Sequence, residues 1–221
     1  MRPNIRPLSS VVVGLLLTAL AVIVPAGDAV AAGAVRGGDT LYGDAGTVCR
    51  VGFNARGGTA SYGIVPGHCA SASSTWYADP NRTVQVGVTA GFRFPLDDFG
   101  VVRYTNPTLS YPGEVNAGGL GVVDITGAAN PVVGQSLCHV GKLTGIHCGL
   151  VVSVNATVSY PEGTVTGLFR SNICSDPGDA GGPAFSGTTA LGVIVGGSSG
   201  SCATYYQPIV EILAAYGLTI Y

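Results

Sequence analysis

Short apolar segments rich in Val, Thr and Tyr recur along most of the chain and are separated by Gly, Pro, Asn and Asp. This pattern is typical of β-strands bounded by turns. Val86 alternates with Val88, and Val152 with Val154, which predicts strands with one buried face. The candidate strands are Thr83–Val88, Gly100–Tyr104, Gly121–Ile125, Leu150–Val158, Gly163–Phe169 and Ala190–Val195.

Helical periodicity is found only near the C-terminus. Pro208 stands where a helix could begin, and Gly217 follows its last turn. Between them, one face of the predicted helix carries Ile209, Ile212, Leu213 and Tyr216. We therefore predict an all-β protein, either a barrel or a pair of sandwiches, with one C-terminal α-helix that packs on the core.

The N-terminal segment has the pattern of a secretory signal. Arg2 and Arg6 precede an apolar run, Val11–Val24, and the small residues of Ala29–Ala31 form a cleavage site. A transmembrane helix is the alternative, but it needs about 20 apolar residues. We predict a signal peptide over residues 1–31 and one domain over residues 32–221. The protein is expected to be secreted and extracellular.

The composition excludes several classes of function. Hydrophobic residues make up 47% of the 221 residues and charged residues 10%, which excludes a disordered chain. The formal net charge is −2 and no basic cluster is present, so neither nucleic acid nor a membrane surface is expected as a partner. We expect a monomer.

Six cysteines in an exported chain predict three disulfides. Six cysteines allow 15 pairings, so the sequence pattern alone does not pair them. A metal site is the alternative, since Cys138 adjoins His139 and His147 adjoins Cys148, but no Cys-x-x-Cys spacing is present. We predict no metal and no cofactor. The cysteines are Cys49, Cys69, Cys138, Cys148, Cys174 and Cys202.

Three short motifs carry candidate chemistry: Gly67–Cys69 with His68, Asp97–Gly100 with two aspartates, and the glycine-rich Pro177–Pro183. Each is weak alone, because a single His is more often structural and an Asp before a strand is more often a turn residue. Their order along the chain, however, is that of histidine, aspartate and nucleophile in chymotrypsin.

From about Gly38 to Tyr221 the chain resembles the bacterial chymotrypsin-fold serine proteases of the streptogrisin and alpha-lytic type. The resemblance implies two six-stranded antiparallel barrels with the active site in the cleft between them. It implies a catalytic pair of His68 and Asp98, and sequential disulfides Cys49–Cys69, Cys138–Cys148 and Cys174–Cys202. The matching segments are Cys49–Asn54, Gly67–Cys69, Asp98–Tyr104, Cys174–Asp179 and Tyr206–Pro208.

The nucleophile loop departs from the family. Ala180 stands where the family motif GDSGGP has its serine, and a methyl group cannot attack a carbonyl. The backbone N–H groups of Gly178 and Ala180 could still form an oxyanion hole. We therefore expect a catalytically silent homologue. The alternatives are an active endopeptidase that carries an engineered serine-to-alanine change, or a structural extracellular domain.

The family also implies a peptide-binding cleft. Val195, Gly196 and Gly197 would pair with the backbone of a peptide or protein ligand. The side-chain pocket would be lined by Ser171–Cys174 and by Val195–Gly197, and Asp176 could add one charge.

Two further departures predict that Ala180→Ser alone restores little activity. Pro66 replaces a family alanine before Gly67 and is expected to disturb the placement of His68. Val195 replaces a family serine whose hydroxyl binds the catalytic aspartate, so we expect Asp98 to have one hydrogen-bond partner fewer than in active relatives.

The remaining polar residues are expected to have ordinary structural roles. Asp97 is predicted to be a solvent-facing turn residue, and His139 and His147 are predicted to lie on the surface. Asp179 is predicted either to pair with a buried amine or to form local hydrogen bonds.

Overall fold

The computed structural model describes Met1 and residues 33–141, 145–176, 178–198 and 200–221. The predicted signal peptide therefore lies, apart from Met1, outside the described residues. Residues 32–221 form one compact unit. Among the described residues, no helix is both long enough and apolar enough to cross a membrane.

This unit consists mainly of β-strands, as predicted. The strands are Thr40–Gly43 (β1), Val48–Arg50 (β2), Asn54–Gly57 (β3), Ala60–Val65 (β4), Thr75–Tyr77 (β5), Gln85–Arg93 (β6), Phe99–Tyr104 (β7), Glu114–Asn116 (β8), Val122–Asp124 (β9), Gly127–Ala128 (β10), Ser136–Gly141 (β11), Gly145–Tyr160 (β12), Gly163–Ser171 (β13), Pro183–Ser186 (β14), Thr189–Ser198 (β15) and Ala203–Pro208 (β16). The helices are Gly67–Ser71 (α1), Ile209–Tyr216 (α2) and a 3₁₀ turn, Gly118–Leu120.

The first barrel comprises strands β1 to β7, in the order β2-β1-β5-β6-β7-β4-β3. Its end strands β2 and β3 are two halves of one extended segment, separated only by residues 51–53. That short link bonds to both neighbours, because Gly38 N–H donates to the Val51 carbonyl at 2.6 Å and Gly52 N–H to the Ile64 carbonyl at 2.7 Å. The sheet is thereby closed, and the two halves act as one of six strands.

The second barrel follows the order β10-β15-β14-β11-β12-β13-β16 and closes through an additional β15–β16 pairing. Strand β10 has two residues and adds to β15 in parallel, outside the closed ring. Six antiparallel strands remain in the ring. The two six-stranded antiparallel barrels implied by the family resemblance are therefore confirmed.

A shared hydrophobic cluster joins the barrels and holds the cleft between them. Phe53 and Phe99 of the first barrel pack in the same buried cluster as Val140 and Val193 of the second and Ile212 of α2. Burying a side chain of this size stabilises the fold by about 1.5–3 kcal/mol. The relative position of the barrels thus depends on close packing of apolar side chains.

The C-terminal helix α2 also agrees with the sequence prediction. It begins after Pro208 and ends at Gly217, whose left-handed φ of 62° suits a residue without a side chain. Ile209 and Ile212 are fully buried on its inner face.

All three disulfides have the sequential pairing that the family resemblance implies. Each closes a loop of modest length, and such loops typically add about 2–4 kcal/mol by restricting the unfolded chain. The pairs are Cys49–Cys69, Cys138–Cys148 and Cys174–Cys202.

Candidate active site

His68 lies on α1, a one-turn helix that the sequence analysis did not predict. Gly67 allows this turn to approach β6 and β7 closely, since a Cβ atom there would lie 2.3 Å from the Arg93 carbonyl oxygen. Pro66 precedes the helix with φ −60° and accepts the Ala70 N–H at 3.0 Å. Proline is well tolerated at a helix start, where its missing N–H is not needed. The Pro-Gly pair at the start of α1 is typical of a turn, so the local sequence carries no signal for this helix.

His68 and Asp98 are joined by two hydrogen bonds across a chain separation of 30 residues. The backbone N–H of His68 donates to Asp98 Oδ1, and the ring Nδ1 lies 2.8 Å from Asp98 Oδ2. Asp98 is fully buried, whereas the His68 side chain is 31% exposed. The carboxylate favours the tautomer with a proton on Nδ1, which makes Nε2 the proton acceptor.

Pro66 therefore does not disturb His68, and the sequence-based expectation that it would is wrong. The physical reason is that proline precedes the first turn of α1 and removes no helical hydrogen bond. Asp98 is itself held from the second barrel, because its backbone N–H donates to Gln207 Oε1 at 2.8 Å.

Within the described residues, both hydrogen bonds to the Asp98 carboxylate come from His68. Val195 is buried and offers no side-chain donor.

Asp97 is not the solvent-facing turn residue that was predicted. Its carboxylate pairs with Arg93 at 2.9 Å, and its side chain is only 14% exposed. Together with burial, Asp97 raises the pKa of Glu211 on α2. Asp97 therefore belongs to a half-buried ion pair with Arg93, and Asp98 is the aspartate that holds His68.

The loop that contains Ala180 is held by backbone hydrogen bonds. Arg50 N–H donates to the Ala180 carbonyl at 3.0 Å, and Gly181 N–H donates to the Ile194 carbonyl at 2.8 Å. Within the described part of the chain, the N–H groups of Gly178 and Ala180 have no acceptor. Donors without a partner within the protein are one requirement of an oxyanion hole.

Asp179 is buried beneath this loop and forms a local hydrogen bond, one of the two predicted arrangements. Its Oδ2 accepts the Asp176 N–H at 2.8 Å. Its charge also acts on the buried Arg50, whose pKa is lowered by burial and raised in part by Asp179 and Asp39.

Next to Ala180 is a cavity of about 220 Å³, which we call the primary pocket. Its described lining corrects the predicted one: Val195, Gly196 and Gly197 contribute, but the residues of Ser171–Cys174 do not. Ser171 instead points into the barrel core, where its hydroxyl lies 2.7 Å from the Tyr206 hydroxyl. The lining is Ser175, Asp176, Gly178, Ala180, Ile194, Val195, Gly196 and Gly197.

A second cavity, of about 550 Å³, adjoins the primary pocket. His68 and Tyr160 line it together with Val195, which also lines the primary pocket. The cavity beside His68 and the cavity beside Ala180 thus share Val195 as a wall. Tyr160 donates its hydroxyl to the Val195 carbonyl at 3.3 Å.

His139 lies inside the second barrel, so its predicted surface position is wrong. Its Nδ1 is 2.8 Å from the Tyr206 hydroxyl, and the residue has no exposed surface. Burial lowers its pKa to about 4, although Asp179 acts in the opposite direction. The Tyr206 ring lies beside the His139 ring at a tilt of 52°, a contact between distant residues that the local sequence pattern does not reveal. His147, directly opposite in β12, is exposed as predicted.

This buried histidine predicts a pH-dependent stability. The folded-state pKa of about 4 lies below the reference value of 6.5, so the unfolded chain binds the proton first as the pH falls. Stability should therefore fall between pH 6.5 and pH 4 by about 3 kcal/mol, from 1.36 kcal/mol per pKa unit. Denaturant unfolding of the wild-type protein and of His139→Gln at pH 7, 5 and 4 measures this loss.

His147→Gln is the matched control and should keep most of the wild-type dependence of stability on pH, because burial has a larger effect on the pKa of His139 than the charge of His147 has. If the stability of the wild-type protein and of His139→Gln fell equally with pH, the loss would not come from His139.

His68, Cys49 and Cys69 place one nitrogen and two sulfur atoms within 4.8 Å of one another. Both sulfurs belong to the Cys49–Cys69 disulfide. Metal binding by cysteine requires the thiolate, so this cluster does not suit a metal ion.

No protein-family model matches the chain. Serine protease 2 of Streptomyces fradiae is 42% identical over 172 residues, which cover 77% of this chain and 98% of that protein. The solved structure of alpha-lytic protease homolog N4 is 52% identical with a TM-score of 0.79, covering 85% of this chain and all of that one. The chain belongs to the streptogrisin and alpha-lytic type of chymotrypsin-fold serine proteases.

Another solved structure of this family is similar over the same extent. It is a glutamic acid specific serine protease that uses a histidine triad in substrate binding, 41% identical with a TM-score of 0.80 over 85% of this chain and all of that one. The chain spans about half the length of two further relatives, Serine protease 1 of Streptomyces fradiae and Streptogrisin-D of Streptomyces griseus.

Proposed function

We propose that this protein is an exported, peptide-binding member of the family that does not hydrolyse peptide bonds. One observation carries the proposal: position 180, where the family has its attacking oxygen, has only a methyl group. It is supported by the two hydrogen bonds between His68 and Asp98, and by the N–H groups of Gly178 and Ala180, which have no acceptor among the described residues. Export is supported by the N-terminal signal pattern and by three disulfides, which persist in oxidising compartments.

Acyl transfer requires an oxygen that loses its proton to the histidine as it attacks the carbonyl carbon. Alanine has neither the oxygen nor the proton, so Nε2 of His68 has nothing to activate. A site reduced to its oxyanion hole and binding contacts retains about 10³–10⁴-fold catalysis over water. Peptide bonds are so stable that this residual rate amounts to no turnover in an ordinary assay.

Peptide binding is supported by the open edge of β15. One edge of the segment from Ile194 to Ser198 pairs with β16. The other edge pairs with β14 only as far as Val193, and Ile194 then bonds to the Ala180 loop. Val195–Gly197 therefore present a strand edge to the cleft, where an extended peptide can add as another strand.

The substrate preference of the glutamic acid specific relative is not part of the proposal. This chain has three histidines, His68, His139 and His147. None of them is among the described residues that line the primary pocket.

A second candidate function, peptide hydrolysis by a form with serine at position 180, is favoured by the two hydrogen bonds between His68 and Asp98. These bonds are the arrangement that an active enzyme needs.

The test combines binding and turnover. Fluorescein-labelled extended peptides are titrated with the wild-type protein by fluorescence polarisation, and the same samples are analysed for cleavage by mass spectrometry. We expect saturable binding with intact peptide after days. Hydrolysis by the wild-type protein would overturn the proposal.

Gly197→Leu tests whether binding occurs in the cleft. A Cβ atom there would lie 1.8 Å from Ser175 Oγ, so the leucine must displace Ser175 and fill the primary pocket. Binding should fall by at least about tenfold. The matched control is Gly119→Leu, because no atom lies within 4 Å of a Cβ atom at Gly119. Equal binding by both variants would place the peptide outside the cleft.

A further inference from the structure

The primary pocket combines apolar walls with a single acidic group. Ala180, Ile194 and Val195 supply apolar surface, and glycines supply backbone. Among the described residues that line the pocket, Asp176 alone has an ionisable side chain, and Ser175 adds one hydroxyl. With a volume of about 220 Å³, the pocket exceeds the ~150 Å³ cavity that accommodates benzene, so one side chain of a bound peptide fits.

The carboxylate of Asp176 is not used to stabilise the fold. Its backbone N–H donates to Asp179 Oδ2, and its carbonyl accepts the Asp179 N–H at 3.0 Å, so the backbone of the residue is held on both sides. Within the described residues, no hydrogen bond or ion pair involves its carboxylate oxygens. In contrast, other protein groups hydrogen-bond to the carboxylates of Asp97, Asp98 and Asp179.

Asp176 is a half-buried residue of the pocket lining, and its carboxylate has no partner among the described residues, which favours one class of occupant. An apolar side chain would cover the charge and remove its water without providing a partner. An acidic side chain would place two like charges in the same pocket. A basic side chain can place its methylene groups against Ile194 and Val195 and its charge against Asp176.

We propose that the primary pocket selects peptides with lysine or arginine at the position it binds, and that Asp176 is the residue that sets this preference. The inference rests on the proposed function, because it requires that the cleft binds peptides. It assigns the ligand class to that cleft: extended peptides with a basic side chain in the pocket, in place of apolar or acidic ones.

Two matched peptide pairs test the preference. The first pair differs only by lysine or norleucine at the pocket position, and the second only by glutamate or glutamine. For the wild-type protein at low salt, we expect about tenfold tighter binding of the lysine peptide than of the norleucine peptide, and about tenfold tighter binding of glutamine than of glutamate. Both ratios should fall in 0.5 M NaCl, because salt screens the charge.

Asp176→Asn tests the residue. It keeps the shape of the side chain and removes the charge, so both ratios should fall to within about twofold. Asp124→Asn is the matched control: it changes the net charge equally, but Asp124 lies on β9 and is not among the residues that line the pocket. It should leave both ratios at the wild-type value.

The outcomes separate this inference from the proposed function. If all four peptides bind with equal affinity, and Gly197→Leu abolishes their binding, the preference for a basic side chain is overturned. The proposal that the cleft binds peptides would then still stand. Wild-type ratios in Asp176→Asn would overturn the role of Asp176. If no peptide binds, cleavage of the same four peptides by Ala180→Ser is measured, and a lack of preference for lysine there overturns the inference as well.

Discussion

Ala180→Ser is expected to turn this protein into a measurable peptidase, with kcat/KM on the order of 10³-fold or more above the wild-type value. The serine hydroxyl would stand on the loop that already presents the Gly178 and Ala180 N–H groups. His68 is held by two hydrogen bonds to Asp98, with Nε2 available as proton acceptor. The measurement is hydrolysis of a fluorogenic peptide with lysine before the scissile bond.

The control for this gain is the double variant Ala180→Ser with His68→Ala. It should return to the wild-type rate, because the serine then has no base. A gain that survives the loss of His68 would mean that a contaminating peptidase is measured. No gain in Ala180→Ser, with the protein folded, would mean that the position of Ala180 relative to His68 does not support catalysis.

The sequence predicts little recovery in Ala180→Ser, on two premises. The first, displacement of His68 by Pro66, is wrong for the reason given above. The second premise is that Val195 lacks the hydroxyl that binds the aspartate. That this lowers the rate of hydrolysis in Ala180→Ser stays a prediction. Adding Val195→Ser to Ala180→Ser should raise kcat/KM by up to about tenfold, whereas adding Pro66→Ala should change it little.

Gly181→Ala is expected to lower the free energy of unfolding by about 4 kcal/mol or more, an unusually large loss for one methyl group. Gly181 has φ +91°, and a Cβ atom there would lie 2.1 Å from the backbone carbonyl oxygen of Arg50. A backbone oxygen cannot move aside as the end of a side chain can. The loop would have to leave β2 and break the Arg50–Ala180 hydrogen bond.

The matched control is Gly134→Ala. Gly134 has nearly the same φ, +87°, but no atom lies within 4 Å of its Cβ position. Its replacement should cost only the backbone strain, about 1–2 kcal/mol. Chemical denaturation of both variants measures the difference. If Gly181→Ala is insoluble while Gly134→Ala is soluble, this also indicates the larger destabilisation of Gly181→Ala. If the two variants lose the same free energy of unfolding to within about 1 kcal/mol, the contact of the added methyl group with the Arg50 carbonyl does not cause the loss.

Much of the fold could be predicted because its signals are local. The Val-rich strands and α2, bounded by Pro208 and Gly217, depend on neighbouring residues in the chain. The number of strands in each ring came from the family resemblance, since closure depends on pairings such as β15 with β16. Helix α1 was missed because five residues are too few to show a helical period.

The candidate site was predictable to a similar degree. The order of the motifs indicated that His68 meets Asp98. His139, Asp97 and the lining of the primary pocket were predicted incorrectly. Each of these depends on a partner that no local pattern names: Tyr206 for His139, Arg93 for Asp97, and the turning of Ser171 into the core.

By itself, the sequence determined what chemistry this protein lacks. The missing nucleophile is a property of one side chain, and no arrangement of the fold can give alanine an oxygen. Only the tertiary structure decided whether the rest of the site survives. Asp98 bonds to Gln207, 109 residues later in the chain, and Asp176 lines a pocket together with residues of β15. Such contacts arise when the barrels pack together through apolar residues such as Phe53, Phe99 and Val193, which carry none of the chemistry of the site.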